Sequence, residues 1–105
     1  MAASAPAEAA GVQRRQWEMG LTHAEFFRIL PLALEGRDYR ATADAVTLEG
    51  DGRRLCIRLA PQAERRIALL RLPVTRVEFE FYGYSAQETV AFLERFERHY
   101  RRGGG

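Results

Sequence analysis

The sequence predicts an α+β domain: an antiparallel β-sheet of about five strands with helices on one face, in the order β-α-β-β-β-β-α. Three observations carry this. Capping-box patterns at Thr22–Glu25 and Ser85–Glu88 each open a stretch with apolar residues at helical spacing. Period-2 alternation recurs along Trp17–Leu21, Leu55–Leu59 and Arg76–Tyr82, always with one apolar face, as in a sheet covered on one side. Gly50-Asp51-Gly52 supplies residues that tolerate φ > 0 and so predicts a hairpin between two of those strands.

Taken in order, a first strand lies within Val12 to Leu21, where Trp17, Met19 and Leu21 alternate with Gln16, Glu18 and Gly20. The Thr22 oxygen can accept from the Glu25 N–H while the Glu25 carboxylate reaches back, so a helix starts there and carries Phe26, Phe27, Ile29 and Leu30. Pro31 lacks an N–H and crowds the carbonyl four residues earlier, which predicts a kink or end near Leu30, an extra turn through Leu34 and closure at Gly36. A second strand is expected from about Arg40 to Glu49. Asp44 shares parity with Val46 and Leu48, so only its second half should be firmly paired.

The third strand puts Leu55, Ile57 and Leu59 on one side and Arg54, Cys56 and Arg58 on the other, and Pro61 ends it. Ile67 to Leu72 is too short for periodicity to separate strand from helical turn; we read it as a strand. Val74 to Tyr82 forms the last strand, with Val77, Phe79 and Phe81 opposite Arg76, Glu78, Glu80 and Tyr82. The final helix, opened by Ser85, aligns Thr89, Phe92, Leu93, Phe96 and Tyr100 on one stripe that should cover Trp17, Met19, Ile57, Leu59, Phe79 and Phe81. Glu94 with Arg98 and Glu97 with Arg101 are spaced for i,i+4 pairs. Residues 1–11 read as a disordered leader, 12–102 as one domain and 103–105 as a flexible Gly tail. This order of elements resembles one repeat of the TATA-box-binding proteins, a resemblance of element order alone that no sequence motif accompanies.

Composition narrows function. All 16 cations are arginine, lysine and asparagine are absent, and the net charge is +2. Absence of two residues with A-rich codons, beside about 16 alanines, points to a G+C-biased coding sequence, so arginine partly replaces lysine. The single cysteine, Cys56, excludes an intrachain disulfide, and two histidines with one cysteine cannot complete a zinc site without carboxylates. No cofactor or metal is expected. The alanine-rich start has no basic segment or long apolar run, so neither a signal peptide nor a membrane anchor is expected, and a cytoplasmic location fits.

Catalytic parts are few. His23 stands in the first turn of a helix and His99 in an arginine-rich last turn, positions that packing or surface roles explain. Cys56 lies between Arg54 and Arg58, guanidiniums that can activate a thiol, although a lone cysteine also serves as a small apolar residue. No nucleophile-elbow, C-x-x-C, H-E-x-x-H or phosphate-loop spacing occurs. The tail Gly103-Gly104-Gly105 resembles the C-terminal Gly-Gly of ubiquitin-like and sulfur-carrier proteins, but it follows a helix rather than an extended strand, and a helix stop with a frayed end accounts for it better.

The most concentrated electrostatic feature is Arg53 to Arg76, where seven arginines meet Glu64 alone. Arg54, Arg58, Arg65, Arg66, Arg76 and Tyr82 are therefore the candidate residues for an anion or a partner. Glu78 and Glu80 should share the exposed sheet face with Arg58 and Arg76 and neutralise them, leaving Arg65 and Arg66 as the freest pair. The expected function is a non-enzymatic interaction module that binds a protein partner or itself through the exposed sheet face or an edge strand. Two alternatives stand beside it: nucleic-acid binding through the arginine segment, and a small-ligand pocket between the first helix and the sheet, near Trp17, Phe27 and Phe81.

Overall fold

A computed structural model of the chain describes residues 11–104, with side chains through Arg101. The described residues form β1 (Val12–Met19), α1 (His23–Ala33), β2 (Arg40–Ala41), β3 (Ala45–Gly50), β4 (Arg53–Leu59), β5 (Ala63–Ile67), β6 (Leu70–Tyr82) and α2 (Ala86–Gly104). Residues 1–10 of the expected leader 1–11 and residue 105 of the expected tail lie outside the described residues, while the Gly11 carbonyl accepts from the Gly83 N–H at 3.2 Å. All pairing is antiparallel, in the order β1-β6-β4-β3-β2, with β5 also on β6. Both helices lie against one face of this α+β sheet. Among the described residues no helix is long and apolar enough to cross a membrane.

Each helix begins where the local chemistry dictates. The Glu25 N–H donates to Thr22 Oγ1 at 3.0 Å and the Thr22 N–H to Glu25 Oε1 at 2.8 Å; Ser85 and Glu88 repeat the exchange at 3.0 and 2.8 Å. Pro31 sits inside α1 without ending it, because the extra turn is closed by the Leu34 N–H on the Leu30 carbonyl at 2.9 Å and Gly36 follows at φ 79°. α2 runs on to Gly104 rather than stopping at Arg102, since glycine weakens a helix without sterically ending it. Arg101 pairs with Glu97 at 3.3 Å in its last turns.

The core is the expected one, extended by α1. Phe26, Phe79, Phe81 and Phe96 are wholly buried with Leu30, Leu34, Leu55, Ile57, Val46 and Val77, while Trp17, Met19, Phe27 and Tyr39 pack at its margin. α1 and α2 meet through Phe26, whose ring stacks on Tyr100 at 5.3 Å, and the Tyr100 hydroxyl donates to the Phe26 carbonyl at 2.7 Å. That bond satisfies a buried polar group that would otherwise be costly.

Three strand expectations are corrected. The stretch from Arg40 to Glu49 is two strands, because the chain reverses at 42–44, where the Asp44 N–H turns to Thr42 Oγ1 at 3.4 Å and the Thr42 N–H to the Ala45 carbonyl at 2.8 Å. Ile67–Leu72 is no strand of its own but the tip of a hairpin, with Ala68 and Leu69 as the turn and Ile67 opposite Leu70. Pro73 does not separate strands either, since β6 runs through it from Leu70 to Tyr82. Proline is tolerated there because β1 ends opposite Thr75, leaving that edge of β6 open.

β5 is the continuation of β4 along the same edge of β6 after a slip of register. Leu59 faces Val77 but Ala63 faces Val74, so one extra residue is accommodated around Pro61 and Gln62, a β-bulge. The start of α1 clamps this bulge: His23 Nε2 donates to the Ala60 carbonyl at 2.8 Å and the His23 N–H to Gln62 Oε1 at 2.8 Å. A carbonyl only accepts, so Nε2 carries the ring proton. Beyond the bulge, β5 and the first residues of β6 project past the end of β1 as a two-stranded arm.

Candidate functional site

The seven arginines of the 53–76 segment do not converge. Arg53 turns to the helix side, where it pairs with Glu88 at 3.1 Å and lies 5.1 Å from the Tyr84 ring. Arg54 and Arg58 leave β4 on the outer sheet face, Arg65, Arg66 and Arg71 ride on the arm, and Arg76 stands at its base opposite Glu18. Separation of this kind follows from strand geometry, since successive residues point to opposite faces and the bulge resets the alternation.

The outer face is a closed network around Glu80. Arg58 Nη1 and the Tyr82 hydroxyl both donate to Glu80 Oε1, at 2.9 and 3.1 Å, and Arg14 Nε donates to Oε2 at 3.4 Å. Arg54 completes it, its guanidinium 4.5 Å from the centre of the Tyr82 ring. Burial pushes the Glu80 carboxyl up, but the hydrogen bonds from Arg58 and Tyr82, the Arg58 charge and the Arg14 bond outweigh it and hold the group below its ordinary 4.5. The Tyr82 hydroxyl is raised, first by burial and then by its bond to Glu80. Three of the candidate residues, Arg54, Arg58 and Tyr82, are thus engaged with one another and with Glu80.

A lowered carboxylate contributes stability that is present above its ordinary pKa and lost as pH falls through the lowered one. Glu80→Gln should therefore flatten the acid limb of stability. Urea midpoints of the two proteins should differ at neutral pH and converge as the pH falls through the lowered Glu80 pKa; parallel curves would refute the role given to Glu80.

Arg65 also departs from expectation. It reaches across to Glu18 on β1 at 2.6 Å, a partner the sequence does not reveal because the two residues meet only through the bulge. Among the described residues Arg66 and Arg71 make no ion pair, and they face each other across the arm. His99 Nε2 lies 3.6 Å from Glu35, and Cys56 is half-buried between Thr47 and Glu80 on the outer face. Among the described residues no group of His, Cys, Asp or Glu is arranged to hold a metal ion.

Comparisons of the chain with protein-family models, curated proteins and solved structures find no match. The likeness of element order to the TATA-box-binding repeats carries no argument, and the surface itself must supply the reading.

Of the residues named for a pocket near the first helix, Phe81 is wholly buried and Phe27 packs on the core. Trp17 instead lines an open groove of about 670 Å³ between β1 and the end of α2, together with Met19, Leu21 and Tyr100, with Glu18, Glu97 and Arg101 at its rim. The signal missed in the sequence is that Trp17 and Met19 occupy the outermost strand. Their apolar faces are consequently only partly covered by the helix.

Proposed function

We propose that the chain is a non-enzymatic interaction module that takes an extended segment of a protein partner, or of another copy, along the edge of β1 that no strand pairs among the described residues. What carries this reading is one juxtaposition: an eight-residue strand at the end of the sheet order, bordered by the groove of Trp17, Met19 and Leu21. An edge strand presents unpaired backbone donors and acceptors, and a neighbouring pocket reads alternate side chains of whatever strand is added. Glu18 and Glu97 at the rim are already matched by Arg65 and Arg101, so the groove favours apolar over charged side chains.

A display library of extended peptides tests it. Selected binders should alternate apolar residues, perturb the amide resonances of Val12–Met19, and shift the emission of Trp17, the single tryptophan. Failure to select any peptide, or perturbations confined to another strand, would overturn the reading. Nucleic-acid binding, the other use of the arginine segment, is left with Arg66, Arg71 and Arg76, since Glu80 is taken by Arg58 and Arg14 and neither it nor Glu78 pairs with Arg76 among the described residues. A labelled oligonucleotide whose binding falls steeply with salt would favour it instead.

A further inference from the structure

The arm changes the phase of its own alternation. In β6 the apolar residues Val77, Phe79 and Phe81 point to the helices, but Leu70, Leu72 and Val74 occupy the opposite parity and so face the outer side. The bulge gives β5 the same inversion, placing Ile67 opposite Leu70 and Arg65 opposite Leu72 on that outer face. The Arg65 pair with Glu18, on the outer side of β1, fixes the orientation. The result is an apolar face with nothing over it among the described residues: Ile67 is 52 % exposed, Leu70 61 %, Leu72 39 %, and Leu69 at the turn 99 %.

We propose that this face packs against the same face of a second copy of the chain, arm on arm about a two-fold axis. Charge selects the occupant. The one ionic group among the outer-face residues of the arm, Arg65, is neutralised by Glu18 of its own chain, while Arg66 and Arg71, which make no ion pair among the described residues, lie on the opposite side with the single carboxylate Glu64. A nucleic acid or an anionic lipid surface would seek the cationic side; an electrically neutral aliphatic face suits an identical face, which carries no repelling charge. A two-fold contact also requires a self-complementary patch, and a stripe of aliphatic side chains meets that requirement.

Area sets the expected strength. The largest apolar patch on an ordinary monomer is about 300–600 Å², and two patches of that class bury at most roughly 1,200 Å², the lower end for a specific dimer. The dimer should be reversible and concentration-dependent. A two-stranded ribbon is marginal alone in water, so each arm gains order from the other. This surface is separate from the β1 edge and stands or falls independently of strand addition there.

Sedimentation of the full chain over a concentration series should show mass rising from 12.0 kDa toward twice that value, little affected by salt. Amide exchange in Ala63–Ile67 and Leu70–Val74 should slow as concentration rises. The double variant Leu70→Glu, Leu72→Glu should be monomeric with unchanged Trp17 emission, whereas Arg66→Glu, on the other side of the arm, should still dimerise. A monomer at every concentration overturns the proposal, as does self-association that survives the double leucine variant. Protection appearing at Val12–Met19 instead would overturn it while supporting strand addition at β1. Because exchange is read on the unaltered chain, a variant that fails to fold leaves the test intact.

Discussion

Replacing Phe96 with alanine is expected to cost about 3–5 kcal/mol, the usual range for emptying a buried phenylalanine site. The position is the one where sheet and both helices meet. Phe96 has no exposed surface, and its ring centre lies 4.8 Å from Tyr100, 5.5 Å from Phe79, 5.5 Å from Phe92, 6.2 Å from Phe26 and 6.4 Å from Trp17. Those neighbours belong to β1, β6, α1 and α2, so no single element can shift inward to close the cavity without losing its other contacts. Domains of this size hold a margin of roughly 5–15 kcal/mol. The loss is thus a large part of the whole. Urea unfolding followed by Trp17 emission should show a much lower midpoint with an unchanged slope, and Phe96→Leu should cost about 1.5 kcal/mol or less by keeping most of the volume. A loss below about 1 kcal/mol for the alanine variant would mean the helix layer is not anchored here.

How much of this was readable in the residues depends on how local the cause is. The capping boxes at Thr22 and Ser85 are made of four consecutive residues, and both helices begin where those residues place them. Asp51-Gly52, at φ 54° and 74°, forms the two-residue turn expected between β3 and β4. Alternation likewise identifies the buried sides of β4 and β6. The arm is not legible in the sequence because its cues conflict: Ala63–Ile67 has no one-sided apolar pattern, every residue of it being exposed, and the prolines at 61 and 73 read as stops. What overrides them is the bulge, held by His23 from 37 residues away, which no local window contains. Separation along the chain likewise hides part of the candidate site. Glu80 could be paired with Arg58 from parity, but Arg65 finds Glu18 only once the bulge has turned it to the outer face.

The second large effect is expected at Gly83, where β6 turns into α2. Its φ of 80° lies in the left-handed region, and a Cβ added there would stand 2.8 Å from the Gly52 carbonyl oxygen and 3.5 Å from the Arg53 Cα. Gly36 separates the two costs, because it has nearly the same φ, 79°, with nothing within 4 Å of its added Cβ. Gly36→Ala should therefore show the conformational penalty alone, about 1–2 kcal/mol. Gly83→Ala must add the displacement of backbone at the β3–β4 turn, which is paired into the sheet and tied to α2 through Arg53 and Glu88. Its cost should exceed that of Gly36→Ala by at least about 1 kcal/mol, in line with the 1–3 kcal/mol of overpacked sites. Thermal or urea melts of the two variants side by side decide the matter. Equal losses would mean that the turn yields without resistance, and that the chain fixes the start of α2 by the Ser85 cap rather than by the close approach of the Gly83 and Gly52 backbones.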